Sequence, residues 1–181
     1  MSAIKELKEG NQRFVSGKML HLGQDAKRVA EIAPSQHPKA IVLSCSDSRI
    51  PPEIVFDQGL GDLFVVRVAG NVLNQENLGS IEYALEHLGV KDVVVLGHKR
   101  CGAVTAAVKG GDIKGPVKSI IDDLMPAVES AKKSCGKNDL VEEASHINVK
   151  MVAEKIRKMY KEAHVMGAYY DLDDGKVSFM E

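Results

Sequence analysis

Residues Ala40 to Pro52, AIVLSCSDSRIPP, constrain this chain more than any other stretch. Ala40 to Leu43 is a short apolar run with β-branched residues in its middle, and Pro51-Pro52 cannot donate ladder hydrogen bonds. The run therefore predicts a buried strand that ends near Ser44. Cys45, Asp47 and Arg49 follow at alternate positions just past its carboxyl end. A second apolar run, Val93 to Leu96, leads into Gly97-His98-Lys99-Arg100-Cys101-Gly102, which places further metal-ligating residue types at the same position relative to a strand. In open parallel α/β sheets that edge is where ligands bind. Two Cys and one His can hold zinc with the fourth position left to water or substrate, the pattern of catalytic rather than structural zinc. Cys45, His98 and Cys101 are the candidate ligands, for one Zn²⁺ per chain.

The rest of the chain reads as alternating helices and strands. Ile4, Leu7, Phe14 and Val15 form a helical stripe in the first eighteen residues, with Gly17 as a stop, and residues 25–33 form a second helical segment ended by Pro34. A short helix is expected over 53–58, a strand over 63–68, and a helix over 78–88 capped by Asn77 and stopped by Gly89. Gly102 to Val108 predicts a small-residue helix. Val117 to Leu124 begins another, which Pro126 should kink or interrupt, and 132–139 is a polar break. The longest helical pattern covers 140–163, a strand covers 165–172, and Asp173-Asp174-Gly175 turns into a short antiparallel strand over 176–180. The fold class expected is α/β: a mostly parallel central sheet of about four strands with a C-terminal antiparallel edge strand and helices on both faces.

Composition narrows the function. A chain of 181 residues, 44% hydrophobic, suffices for one domain with its own core, here 1–181 with an N-terminal helical arm. A net charge of -1 gives no electrostatic case for nucleic acid or an anionic membrane surface. No apolar stretch reaches the about 18 residues of a membrane helix, and MSAIKELKEGNQRF lacks the apolar core of a signal peptide, so a cytoplasmic location is expected. Three Cys, two of them placed for metal, fit a reducing compartment better than a disulfide framework. Cys135 reads as an exposed thiol with no partner nearby. His21, His37, His87, His146 and His164 read as surface or helix-face residues, none singled out as a proton shuttle.

The motif C-x-D-x-R followed by G-H-x-x-C-G resembles the β-class carbonic anhydrases. The similarity continues through Gly61 to Arg67, Gly70-Asn71, Ser80 to Ala84 and Gly167 to Leu172, and is thin only from about Ile113 to His164. The resemblance implies a zinc lyase that hydrates carbon dioxide to bicarbonate, a homodimer or higher homo-oligomer, and a first helix lying across a partner subunit. It also implies substrate-pocket roles for Gln36, Phe64 and Tyr83, partly across a subunit interface. On burial alone Phe64 and Tyr83 read equally as core aromatics, and Gln36 as a loop amide.

The charges suggest how such a site works. Two thiolates cancel the charge of Zn²⁺, so bound water is acidified less than beside three imidazoles and ionises at neutral to mildly alkaline pH. The hydroxide so formed suits a small electrophilic carbon. Asp47 can either take the open position on zinc or accept a hydrogen bond from the hydroxide, and Arg49 can pair with it and hold it off the metal. The resemblance implies that this pair is the working catalytic dyad. Gly102 opens a helix directly after a ligand, so its N–H can bind an anionic product oxygen, or the glycine can serve the turn alone. Two departures from the family stand out. Val68 occupies a position where many members carry Asn, and Val42 one where an allosterically regulated branch carries Trp, a residue type this chain lacks. Two other readings stay open: a sibling hydrolase of carbon disulfide or carbonyl sulfide, and a structural or regulatory zinc module closed by Asp47.

Overall fold

The computed structural model of the chain describes residues 2–134 and 139–180. Its elements are α1 (Ala3–Val15), α2 (Ala26–Ile32), β1 (Ala40–Ser44), α3 (Pro52–Val55), β2 (Leu63–Arg67), a 3₁₀ turn (Ala69–Asn71) and α4 (Gln75–Glu86). There follow β3 (Asp92–His98), α5 (Gly102–Lys109), α6 (Val117–Ser134), α7 (Leu140–Met159), β4 (His164–Tyr170) and β5 (Val177–Met180). The strands form one sheet in the order β2-β1-β3-β4-β5. The first four are parallel and β5 runs antiparallel to β4, as the sequence led us to expect. No helix of the described residues is long and apolar enough to cross a membrane.

Burial explains the order. β1 and β3 are buried at every position, so they occupy the middle, whereas β2 is mostly half-buried and takes an edge. The two faces carry separate cores. Ala40, Val42, Val94 and Leu96 pack with Leu7, Phe56, Val104, Leu124 and Val128 on one side. Ile41, Leu43, Val93 and Val95 pack with Ile81, Leu85, Val149, Val152 and Ile156 on the other. That period of two along each strand is what a sheet covered on both faces requires. The chain leaves β1 toward β2 on one side and returns to β3 on the other, so the strand order reverses between β1 and β3.

Several expectations need correcting. The cap of α4 is Asn74, whose side chain accepts from the Asn77 N–H; Asn77 is buried and donates its own amide to the Val72 carbonyl. α6 runs unbroken through Pro126, because Leu124, Ala127, Val128 and Ala131 are buried and tertiary packing outweighs one lost helix bond. It also continues to Ser134, into the expected polar break. α3 starts at Pro52 rather than Glu53, the proline filling a first-turn position that needs no donor. α7 stops at Met159, and β4 covers 164–170 rather than 165–172. β3 is longer than its apolar run and includes His98, since Gly97 and His98 pair with Tyr169 and Tyr170. The sequence pattern predicts no 3₁₀ turn where Ala69–Asn71 form one. Cys135 lies outside the described residues.

Within one chain the first helix packs on its own core. Ala3, Ile4 and Leu7 enter the core, the Ala3 N–H donates to Asp92, and Asn11 bridges the Val55 and Gly175 carbonyls and the Val177 N–H. α2, by contrast, buries no residue. Gly10 is where α1 meets the Phe56 carbonyl, and a methyl group there would overlap that backbone oxygen. Gly10→Ala should therefore destabilise by about 1–3 kcal/mol in denaturant unfolding, despite alanine's better helix propensity. Gly79→Ala, in α4 with open space around it, should stabilise by about 0.5–1 kcal/mol. Equal effects at the two positions would contradict the packing of α1.

Candidate metal centre

The reversal of strand order sets the site, because connections from β1 and β3 leave the sheet edge in opposite directions and open a crevice between them. Ser44 pairs with Leu96, so Cys45 leaves β1 beside the end of β3, where His98 is the last residue and Cys101 caps α5. The ligand atoms of Cys45, His98 and Cys101 all lie within 4.8 Å of one another, and all three residues are buried. His98 is fully buried, and its Nδ1–H faces the Lys99 carbonyl at 2.9 Å, a hydrogen bond that leaves Nε2 as the free donor atom. Among the described residues, that Nε2 has no hydrogen-bond partner. A buried, unpartnered imidazole nitrogen facing two thiols is costly unless a cation completes it, and two S and one N form a donor set that suits zinc.

The thiols are electrostatically unequal. The Cys45 pKa is pulled down to about 4, chiefly by a hydrogen bond from Cys101, with His98 and the Gly70 and Asp47 backbone amides adding to it against burial. The Cys101 thiol is pushed up by the neighbouring Cys45 sulfur and by burial, although the Val104 and Ala103 amides at the start of α5 favour its thiolate. Two thiolates this close cannot both persist without a cation between them.

Asp47 and Arg49 stand beside the cluster. Arg49 donates Nε to Oδ1 at 2.9 Å and an Nη to Oδ2 at 2.7 Å, and its backbone N–H also reaches Oδ1. This fork holds the Asp47 carboxyl well below the usual carboxylate range. Asp47 Oδ2 is 3.9 Å from His98 Nε2, so a carboxylate occupied on both oxygens by Arg49 faces the metal position.

Several residues that serve the site carried no sequence signal of that role. Arg67, at the end of β2, donates to the Cys45 carbonyl at 2.9 Å and the Asp47 carbonyl at 2.6 Å and so shapes the whole Cys45–Asp47 loop. The Gly70 N–H donates to Cys45 Sγ at 3.2 Å. Arg100, between two candidate ligands, has φ 53° and forks onto Asp173, while Lys99 bridges Asp171 and Asp173, tying the His98–Cys101 turn to the β4–β5 hairpin. Only a charged run at each end, Lys99-Arg100 and Asp171 to Asp174, pointed to that tie.

The remaining candidates divide. Gly102 is the first residue of α5, exposed, with nothing within 4 Å of where a Cβ would sit. Phe64 and Tyr83 meet each other, ring centroids 6.3 Å apart, at the β2 edge on the sheet face opposite the Cys45 core. Tyr83 is 45% exposed, and Gln36 is exposed in the loop before β1. One chain alone therefore does not gather these three around the metal cluster. His146 is half-buried and stacks on Tyr169, and the other four histidines outside the cluster are exposed.

Fold and site together define an α/β protein with a Cys₂His metal-ligating cluster at the switch point of a parallel sheet. Comparison with known proteins agrees: a family model described as carbonic anhydrase matches residues 40–177. A carbonic anhydrase of Mycolicibacterium smegmatis is 41% identical over 98% of this chain and 91% of its own. A solved β-carbonic anhydrase, CcaA, superposes with a TM-score of 0.75 at 25% identity, covering 99% of this chain and 96% of that one. One from Sordaria macrospora, described as tetrameric, superposes at 0.76 with 23% identity over 99% and 98% of the two chains. The chain belongs to the β-class carbonic anhydrases. It is an enzyme of that family, whose general activity is the hydration of carbon dioxide.

Proposed function

We propose that this chain interconverts carbon dioxide and bicarbonate at a zinc ion held by Cys45, His98 and Cys101, with Asp47 and Arg49 as the working pair. The observation that carries this reading is the Arg49 fork on Asp47 beside the unpartnered His98 Nε2. A structural zinc site closed by Asp47 has no use for an arginine that occupies both carboxylate oxygens. Zinc, when bound there, supplies an acidified water as nucleophile for a small electrophilic carbon. Asp47, kept ionised by Arg49, would accept a hydrogen bond from a water held by a metal there and orient it. The exposed Gly102 N–H, at the start of α5, binds the anionic product oxygen. The Lys99 carbonyl fixes the tautomer of His98, and Arg67 holds the loop on which Cys45 and Asp47 are spaced. Carbon disulfide and carbonyl sulfide find no support among the relatives described above.

Gln36, Phe64 and Tyr83 belong in this reading to a pocket completed by a second copy of the chain. Support comes from the uncovered surface around the β2 edge, where α2 buries nothing and Leu22, Val29, Ile54 and Leu60 are exposed. The tetramer reported for the Sordaria macrospora protein is consistent with a homo-oligomer here. Two free buried thiols used as metal donors favour a reducing, cytoplasmic location.

Stopped-flow hydration of carbon dioxide run beside metal analysis tests the proposal. One zinc per chain is expected, and Cys101→Ala should lose it; full occupancy in that variant would refute the ligand set. Arg49→Ala should keep zinc and lose roughly 10–100-fold in turnover. Wild-type turnover in Arg49→Ala would leave the pair without a catalytic role.

The pH profile follows from the depressed Asp47 pKa. A carboxyl held below its unfolded value stays ionised through neutral pH, so its stabilising pairing is present above the unfolded pKa of about 4 and is lost only as pH falls through the depressed value. Loss of turnover from mildly alkaline to neutral pH would then not come from Asp47 but from the water that a metal held there would acidify. Val42 is fully buried in β1, which leaves no Trp-like regulatory contact there. Turnover should rise with pH as one simple titration, and a steep fall below neutral pH that bicarbonate deepens would contradict this.

A further inference from the structure

Asn148 lies on α7, in the part of the chain where resemblance to the family is thin, and it is only 4% exposed. Its Nδ2 donates to the Gly70 carbonyl at 2.9 Å, across a sequence separation of 78 residues. Gly70 in turn donates its N–H to Cys45 Sγ at 3.2 Å. These two bonds lie on either side of one α-carbon whose φ and ψ are 72° and 12°, the left-handed region that glycine enters most readily and leaves most readily. Fixing the carbonyl fixes how the N–H is aimed. No larger residue can do the same work from within the turn, because a Cβ on Gly70 would stand 3.0 Å from Leu124 Cδ1 and 3.2 Å from the Ala103 Cβ.

The depth of α7 is set independently. Gly97 and Gly167 both face Val149, the residue after Asn148, and a Cβ on Gly167 would come within 2.9 Å of Val149 Cγ1. The two glycines let α7 sit close to β3 and β4, and Asn148 then reaches under the sheet edge to the turn.

We propose that Asn148 is a positioning residue for the metal centre: it clamps the 3₁₀ turn so that the Gly70 N–H is aimed at the Cys45 sulfur. The N–H···S bond draws charge from the thiolate and sets both its orientation and its donor strength toward the metal. The inference rests on the zinc reading above.

Two measurements test it. In protein loaded with ¹¹³Cd, the Gly70 amide proton of the wild type should show scalar coupling to cadmium through Cys45 Sγ; absence of that coupling would overturn the proposal without any variant. Zinc affinity by chelator competition, and the thiolate-to-metal band of the cobalt form, should then be compared across variants. Asn148→Ala and the near-isosteric Asn148→Asp, which replaces the donor with an acceptor, should each weaken zinc roughly 10–100-fold and shift the cobalt band. Asn11→Ala removes another buried amide that bridges backbone groups, away from the site. It should lower the melting temperature and leave affinity and band unchanged. Wild-type affinity and band in a folded Asn148 variant would overturn the proposal, as would an equal loss in Asn11→Ala. Should the wild type take up no zinc or cobalt at all, the metal reading falls, and this inference with it.

Discussion

The register between β1 and β3 governs everything else in this molecule. Ala40 opposite Asp92 and Ser44 opposite Leu96 bring two separate loops to one edge of the sheet, one carrying Cys45 and the other His98 and Cys101. A slip of one residue would send Ile41 and Leu43 into the wrong core and carry the first thiol away from the imidazole. The register is secure because β1 and β3 are buried on both faces, each with a distinct set of partners. Stability and ligand geometry thus depend on the same strand pair.

Around that pair the chain supplies a shell of fixed dipoles and charges. Arg67 grips two carbonyls of the Cys45–Asp47 loop, the Lys99 carbonyl holds the imidazole, and Gly70 and the first amides of α5 face the sulfurs. Each group is modest alone, since a single hydrogen bond is worth about 0.5–1.5 kcal/mol net. Their joint effect is to remove alternatives: the ligands cannot turn away without leaving buried polar groups unpaired. The left-handed Arg100 shows the same economy, a strained residue between two ligands held by its fork on Asp173.

The sequence disclosed the strands, the order of helices and the Cys and His residues that the fold brings together, because each is a local pattern. A β-branched run followed by Cys-x-Asp-x-Arg states both a strand and what lies at its end. Residues whose role depends on distant partners were not legible. Asn148 is one polar residue in an amphipathic helix until the fold brings it to Gly70, and Arg67 is simply the last residue of a strand until β1 lies beside it. Asn77 reads as a cap from sequence because a neighbouring Asn suits that place as well; only burial against Val72 separates it from Asn74. The stripe on α1 told that the helix covers apolar surface, not whose surface.

The candidate metal centre and the Phe64–Tyr83 pair lie on opposite faces of the sheet. The Cys45–His98–Cys101 cluster is buried at the β1–β3 edge, while Phe64 on β2 and Tyr83 on α4 meet each other on the opposite sheet face, and Leu60, Ile54 and Val29 are exposed. Scattered apolar residues are ordinary on a surface, but these adjoin an edge strand and a helix that buries nothing of its own. An unpaired edge flanked by apolar side chains is a favoured site for another chain to pack. A second copy of the same chain would cover that edge and bring aromatic residues to a site that already holds its charged and metal-binding groups. The division of labour would then be physical: polar donors, which need exact hydrogen bonds, come from one chain's rigid sheet edge, and apolar walls, which need only fit, come from its neighbour.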